Sequence, residues 1–134
     1  MPIKGNNGNK NIEKTVNDIL KSRARSRIYI YLLRKNGAKS DQIIRGTKLH
    51  PSTVRETLAK MHKQRLIYRK KIKNDSIGKN PYMYYSISPL ELLRRYTDEI
   101  EERLNQLASL AFKETESDDF KPVKIKINEG AGKA

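Results

Sequence analysis

Residues 40 to 67 read Ser40-Asp41-Gln42-Ile43-Ile44-Arg45-Gly46-Thr47-Lys48-Leu49-His50-Pro51-Ser52-Thr53-Val54-Arg55-Glu56-Thr57-Leu58-Ala59-Lys60-Met61-His62-Lys63-Gln64-Arg65-Leu66-Ile67. Polar Ser40 is a candidate N-cap for a short helix over 39–46 that carries apolar Ile43 and Ile44. A tight connection follows, with Leu49 as its apolar plug. A second helix is predicted over 51–65. It opens on Pro51, whose missing N–H costs nothing in a first helical turn. Val54, Leu58 and Met61 share one face of this helix. Thr53, Arg55, Glu56, Lys60 and Lys63 share the other. The pattern is two helices across a turn, the second with a narrow apolar stripe in and a polar, basic face out.

Charge singles out the same region. The formal net charge is +14. Residues 22–88 hold seventeen Lys or Arg and three acids, net +14. The flanking stretches 1–21, 89–112 and 113–134 carry +2, −2 and 0. An excess confined to one segment favours a polyanionic partner through counterion release; a scattered excess would serve solubility. A polar, basic helix after a tight turn is the equipment of a helix-turn-helix laid in a DNA major groove.

The stretch resembles the winged helix-turn-helix domains of small prokaryotic transcription regulators, especially archaeal ones of the TrmB, MarR and ArsR-like groups. Ile43-Ile44, Leu49-His50-Pro51-Ser52-Thr53-Val54, Leu58, Met61 and Leu66-Ile67 carry the resemblance, which continues through a basic hairpin at 67–88. It implies a mainly α (α+β) fold, a winged helix-turn-helix with a two-stranded β wing. Two positions depart from the pattern. Lys48 stands in the turn, and Arg65 before the Leu-Ile pair, where many members carry glycine. Both places ask for positive φ, which strains a residue with a Cβ.

Working outward, residues 1–10 read as a flexible tail, with Gly5, Asn6, Asn7, Gly8 and Asn9. Residues 11–88 form the winged domain with its lead-in helix, whose Ile12, Val16, Ile19 and Leu20 repeat at helical spacing. Ser22 is the candidate N-cap of the next helix, Gly37 its C-terminal stop, and Ala24, Ile28, Tyr31 and Leu32 its buried side. Arg23, Arg25 and Arg27 oppose that helix's dipole, so something outside the helix should favour them; a phosphate is one candidate and plain solvation the other. Ile67–Lys73 and Tyr82–Ser88 alternate, the latter with Met83, Tyr85 and Ile87 on one side. Asn74, Asp75, Gly78, Asn80 and Pro81 mark the turn between them. Residues 89–113 form a long helix in which Leu90, Leu93, Thr97, Ile100, Leu104, Leu107 and Ala111 recur in steps of three and four. That seam predicts a coiled-coil dimer interface, or alternatively a helix folded back on its own domain. Residues 114–134 are a polar tail with one alternating run, Val123 to Ile127, a candidate edge strand too short to stand alone.

The expected DNA contacts follow from these placements. Ser40 sits on the first helix of the pair. His50, Ser52 and Thr53 sit where backbone N–H groups and hydroxyls suit phosphate. Arg55 is the candidate for bidentate guanine reading. Glu56 accepts from a cytosine amino group, or pairs with Lys60 one turn on. Lys60 and Lys63 meet phosphate, and Arg69, Lys70, Lys71, Lys73 and Lys79 line the wing. Tyr82, Tyr84 and Tyr85 allow base stacking, and hence RNA, but in an alternating strand they serve hairpin packing.

Other chemistry is poorly supplied. There is no Cys, so disulfides and thiolate metal sites are excluded. His50 and His62 lack a carboxylate at metal-ligand spacing, and Asp118-Asp119 lacks the positioned partners of a catalytic pair. No phosphate-binding glycine loop or nucleophile motif is present. No enzyme activity, metal or cofactor is expected. The longest apolar stretch, Ile28 to Leu33, is too short for a membrane span, and no secretory signal is seen; the expected location is cytoplasmic, nucleoid-associated. The expected function is sequence-specific binding of double-stranded DNA by a homodimeric transcription regulator. The alternatives are a weakly specific architectural chromatin protein and a winged-helix module that meets protein in a basal transcription assembly. At this length there is no room for a separate ligand-sensing domain: if the chain responds to a signal, the ligand sits at the dimer interface, or a transcription-machinery partner or a modification acts instead.

Overall fold

The computed structural model describes residues 6–72, 82–112 and 121–129. Lys73, Lys79, the turn residues between them, Asp118 and Asp119 lie outside the described residues. The order is α1 (Asn6–Leu20), α2 (Arg23–Lys35), α3 (Ser40–Thr47), α4 (Pro51–Lys63), β1 (Ile67–Lys71), β2 (Tyr82–Ser86) and α5 (Pro89–Ala111). The helices dominate and the strands form one antiparallel hairpin. This is a winged helix followed by a long C-terminal helix. The chain divides into two units, Met1–Ser88 and Pro89–Ala134. α1 begins at Asn6, inside the stretch expected to be a flexible tail.

α2 is the centre of the first unit and touches α1, α3, α4 and β2. Ser22 caps it as expected, its side chain accepting from the Arg25 N–H at 3.1 Å. The single buried face expected for α2 is wrong in part. Ser26, Ile28, Tyr29, Ile30 and Leu32 are buried, while Ala24 and Tyr31 are only half-buried. A helix covered on several sides buries more than one stripe. Ile28, Tyr29, Leu32, Ile43, Val54 and Met61 are the best-buried side chains of the unit. Tyr29 also ties α2 to the wing: its hydroxyl donates to the Ile87 carbonyl at 2.9 Å, and Ser86 Oγ donates to the Tyr29 carbonyl at 3.0 Å.

Among the described residues, four with side chains hold positive φ at helix ends: Lys21 (56°), Asn36 (57°), Lys48 (60°) and Arg65 (61°). Lys48 and Arg65 are the two positions expected to need it. At the end of α4, Leu66 N–H reaches the Met61 carbonyl at 2.9 Å and Arg65 N–H the His62 carbonyl at 3.1 Å. That paired closure is a Schellman motif, with Leu66 and Met61 both buried beneath it. Each left-handed residue of this kind costs on the order of 1 kcal/mol relative to glycine. Arg25, which opposes the α2 dipole, donates to the Leu20 carbonyl at 3.1 Å and so serves the last turn of α1.

The hairpin pairs Ile67 with Ser86, Arg69 with Tyr84 and Lys71 with Tyr82. A third piece of backbone joins it. Ala38 and Tyr84 exchange N–H···O bonds of 3.1 and 2.8 Å, which anchors the wing to the α2–α3 connection. Tyr84 is the buried residue of β2, so the core side of the strand is the face opposite Met83 and Tyr85. Gly37, with φ 108°, lies beneath the Tyr85 ring and leaves no room for a Cβ.

In the second unit the run Val123 to Ile127 forms no strand. It docks on α5 through side chains instead. The Asn105 amide both donates to the Val123 carbonyl and accepts the Val123 N–H, each at 3.0 Å. Glu101 accepts the Ile125 N–H at 3.0 Å, and Arg94 pairs with Glu129 at 2.8 Å. Val123, Ile125 and Ile127 are half-buried, and Lys124 and Lys126 are exposed. Helical side chains thus supply the hydrogen bonds that a neighbouring strand would otherwise supply.

Candidate nucleic-acid interface

α4 begins at Pro51. His50, not a common capping residue, is its N-cap: Nδ1 accepts from the Ser52 N–H at 3.3 Å and lies 2.9 Å from Ser52 Oγ. The expected N-cap of α3, Ser40, is instead its first residue, half-buried. Lys39 precedes it in β conformation, and its N–H is taken by Gln42 Oε1 at 2.8 Å. The turn between α3 and α4 is internally satisfied. Thr47 Oγ1 donates to Ile43 O at 2.7 Å and accepts the Leu49 N–H at 3.3 Å. Gly46 faces the Tyr31 ring, which explains the small residue there.

Val54, Thr57, Leu58 and Met61 are buried, with Thr57 an addition to the expected stripe. On the outer side Ser52, Arg55, Glu56, Lys60 and Lys63 are exposed and Thr53 is half-buried. Among the described residues Arg55, Lys60 and Lys63 form no ion pair, and the Glu56–Lys60 bridge is not made. His62 is exposed.

On the wing Arg69, Lys70 and Lys71 are exposed. The Arg69 guanidinium lies over Tyr82, 4.3 Å from the ring centroid, and Lys70 Nζ lies 5.4 Å from that of Tyr85. Tyr68 stacks on Tyr85 at 5.2 Å and 15°. Tyr82 and Tyr85 thus pack against cations of the hairpin itself.

A second basic feature was not foreseen. A cleft of about 290 Å³ between α1 and α2 is lined by Lys10, Lys14, Arg23 and Arg27, with Glu13 as its one carboxylate. Arg23 and Arg27 thus gather with the lysines of α1, a meeting that only the packing of the two helices could reveal.

The seam residues of α5 stay open. Leu93 and Leu104 are 40% exposed and Leu107 is 65% exposed; Leu90 and Ala111 are exposed, and Thr97 and Ile100 are half-buried. Leu110 and Phe112 are exposed too, although the seam did not include them. No group of three or more potential metal ligands is found, and no helix is long and apolar enough to cross a membrane, among the described residues.

The fold defines a winged helix-turn-helix protein. No known family pattern and no curated protein matches the chain. Solved structures do. A protein of Methanosarcina mazei Go1 described as a possible transcriptional regulator is 21% identical, with a TM-score of 0.59 over 79% of this chain and 89% of its own. NadR in complex with 4-hydroxyphenylacetate gives a TM-score of 0.49 at 15% identity, covering 85% and 89% of the two chains. A mutant of MepR from S. aureus gives 0.48 at 15% identity, covering 78% and 77%. The first of these matches shows the fold.

Proposed function

We propose that this chain is a transcription regulator that binds double-stranded DNA, sets α4 in the major groove with the wing over a phosphate strand, and acts as a homodimer joined through α5. One observation carries the proposal. The basic side chains of α4 and β1 are exposed, and among the described residues Arg55, Lys60, Lys63, Lys70 and Lys71 have no acidic partner. Cations that a protein leaves unneutralised on one helix-and-hairpin module suit a polyanion. Arg55 reads a base, and Lys60, Lys63 and the wing hold phosphate. The open leucines of α5 supply the surface for the second chain.

The test is selection of bound fragments from random duplex DNA. An enriched palindrome supports the dimeric regulator. Binding without enrichment turns the assignment to a coating protein, and absence of binding turns it to a protein-interaction module. With roughly six to ten phosphate contacts, affinity should fall by about 10³ to 10⁵ between 50 and 200 mM salt. A flat salt dependence rules out the groove-and-wing arrangement.

A further inference from the structure

The basic cleft between α1 and α2 continues into a second concavity of about 250 Å³, and the two share Glu13, Arg27 and Ile30. The second passes Arg34 and Lys35 and reaches Gly46 and Thr47, the last residues of α3. Together they make one trough along α2. Arg23, Arg27, Ile30 and Arg34 follow at steps of four, three and four, so they form one stripe of the helix, about 16 Å long at 1.5 Å per residue. Lys10 and Lys14, one turn apart on α1, line the opposite wall. Lys10, Lys14, Arg23 and Arg27 are exposed, and among the described residues none of them makes an ion pair, with Glu13 or with any other carboxylate. Arg25 has the Leu20 carbonyl as its acceptor; Arg23, which opposes the same helix dipole, has none among the described residues. Four cations around one concavity, against one carboxylate, focus a positive potential there that only an anion from outside relieves.

The lining selects the kind of anion. Small-molecule pockets are mostly apolar, whereas Ile30 is the one apolar residue of the first cleft. A row of cations along a helix suits an anion that is itself a row of charges. The far end of the trough lies where the chain turns into α4: Thr47 Oγ1 takes the Leu49 N–H, and His50, the next residue, caps α4.

We propose that this trough holds a second stretch of duplex phosphate backbone, on the DNA flanking the site read by α4. This rests on the DNA-binding assignment above. Wild type, the double variant Lys14→Gln, Arg27→Gln and the single variant Glu13→Gln are compared across a salt series. One duplex is limited to a selected half-site, and the other is the same half-site lengthened by about one helical turn on each side. All three positions are exposed, so the variants should melt close to wild type. On the long duplex the double variant should show a log-affinity against log-salt slope shallower by about 2, roughly one for each lost phosphate contact. On the short duplex its slope should match wild type. Glu13→Gln removes the one carboxylate and should tighten the long complex while leaving the short one unchanged. If the double variant loses equally on both lengths, its cations act through net charge alone; if it loses on neither, the trough holds no DNA. Either result overturns the inference and leaves the DNA assignment standing. Capture of a second labelled duplex by wild type, lost in the double variant, would assign the trough to another DNA molecule and overturn the flanking placement. If the wild type binds neither duplex at low salt, the inference and the DNA assignment both fall.

Discussion

Tyr29 answers to two demands at once: it fills the centre of the core, and its hydroxyl must find an acceptor there. The Ile87 carbonyl is that acceptor. Burial disfavours the phenolate and raises the Tyr29 pKa to about 12 from 10.0. With the folded value above the unfolded one, the native state holds its proton longer. Stability from this group is fully present below pH 10 and is lost as pH rises toward 12. Tyr29→Phe should cost about 0.5–1.5 kcal/mol at neutral pH for the lost hydrogen bond. It should also lose stability less steeply than wild type between pH 10 and 12; parallel denaturation curves across that window would refute the buried-phenol account. On the outer surface, Arg55→Ala should lower affinity for a selected site by about 1–3 kcal/mol and affect random duplex less. Lys71→Ala should weaken both alike. Competition titrations separate the two, and equal losses for Arg55→Ala would remove its base-reading role.

The elements differ in how they hold together, and the last described segment is the extreme case. Residues 121–129 bind α5 through one amide clamp, one carboxylate and one ion pair. Asn105→Ala should free the Val123 amide, seen as faster hydrogen exchange there, while the exchange of α2 stays unchanged. Protection that persists would mean that the half-buried Val123, Ile125 and Ile127 suffice. This segment also shows where sequence stops informing structure. Its alternation is visible, but a partner made of helix side chains has no pattern to read. The helix pair α3–α4 was legible because Ile43, Val54, Leu58 and Met61 keep helical spacing and bury as that spacing demands. The positive φ at Lys48 and Arg65 was legible because their positions ask for glycine. The core face of β2 was not, since Tyr82, Tyr84 and Tyr85 put similar rings on both faces of one strand, and only the backbone pairing with Ala38 selects Tyr84. Nor was the burial of Tyr29 and Ile30, which depends on how many neighbours enclose α2. Of the candidate interface, the cations of α4 and β1 could be named in advance; the His50 cap and the seat of Arg69 over Tyr82 needed coordinates.

At the scale of the molecule the question is how many copies act together. α5 runs 23 residues, about 34 Å at 1.5 Å per residue, and leaves leucines on its surface along that length. Two copies joined there would present two α4 helices to half-sites about 34 Å apart or a multiple of that. Leu107→Lys is the cleanest probe. Leu107 is 65% exposed in a single chain, so a charge there costs the monomer little. Between two chains the same charge is desolvated and unpaired, which is costly. The variant should fold with wild-type melting of the winged unit but run as a monomer by light scattering. It should bind a full palindrome no better than a half-site, because the effective concentration supplied by a linked second domain is lost. A wild-type chain that is itself monomeric at roughly tens of micromolar, where weak dimers still form, would remove the two-half-site arrangement and leave each winged unit to bind DNA alone.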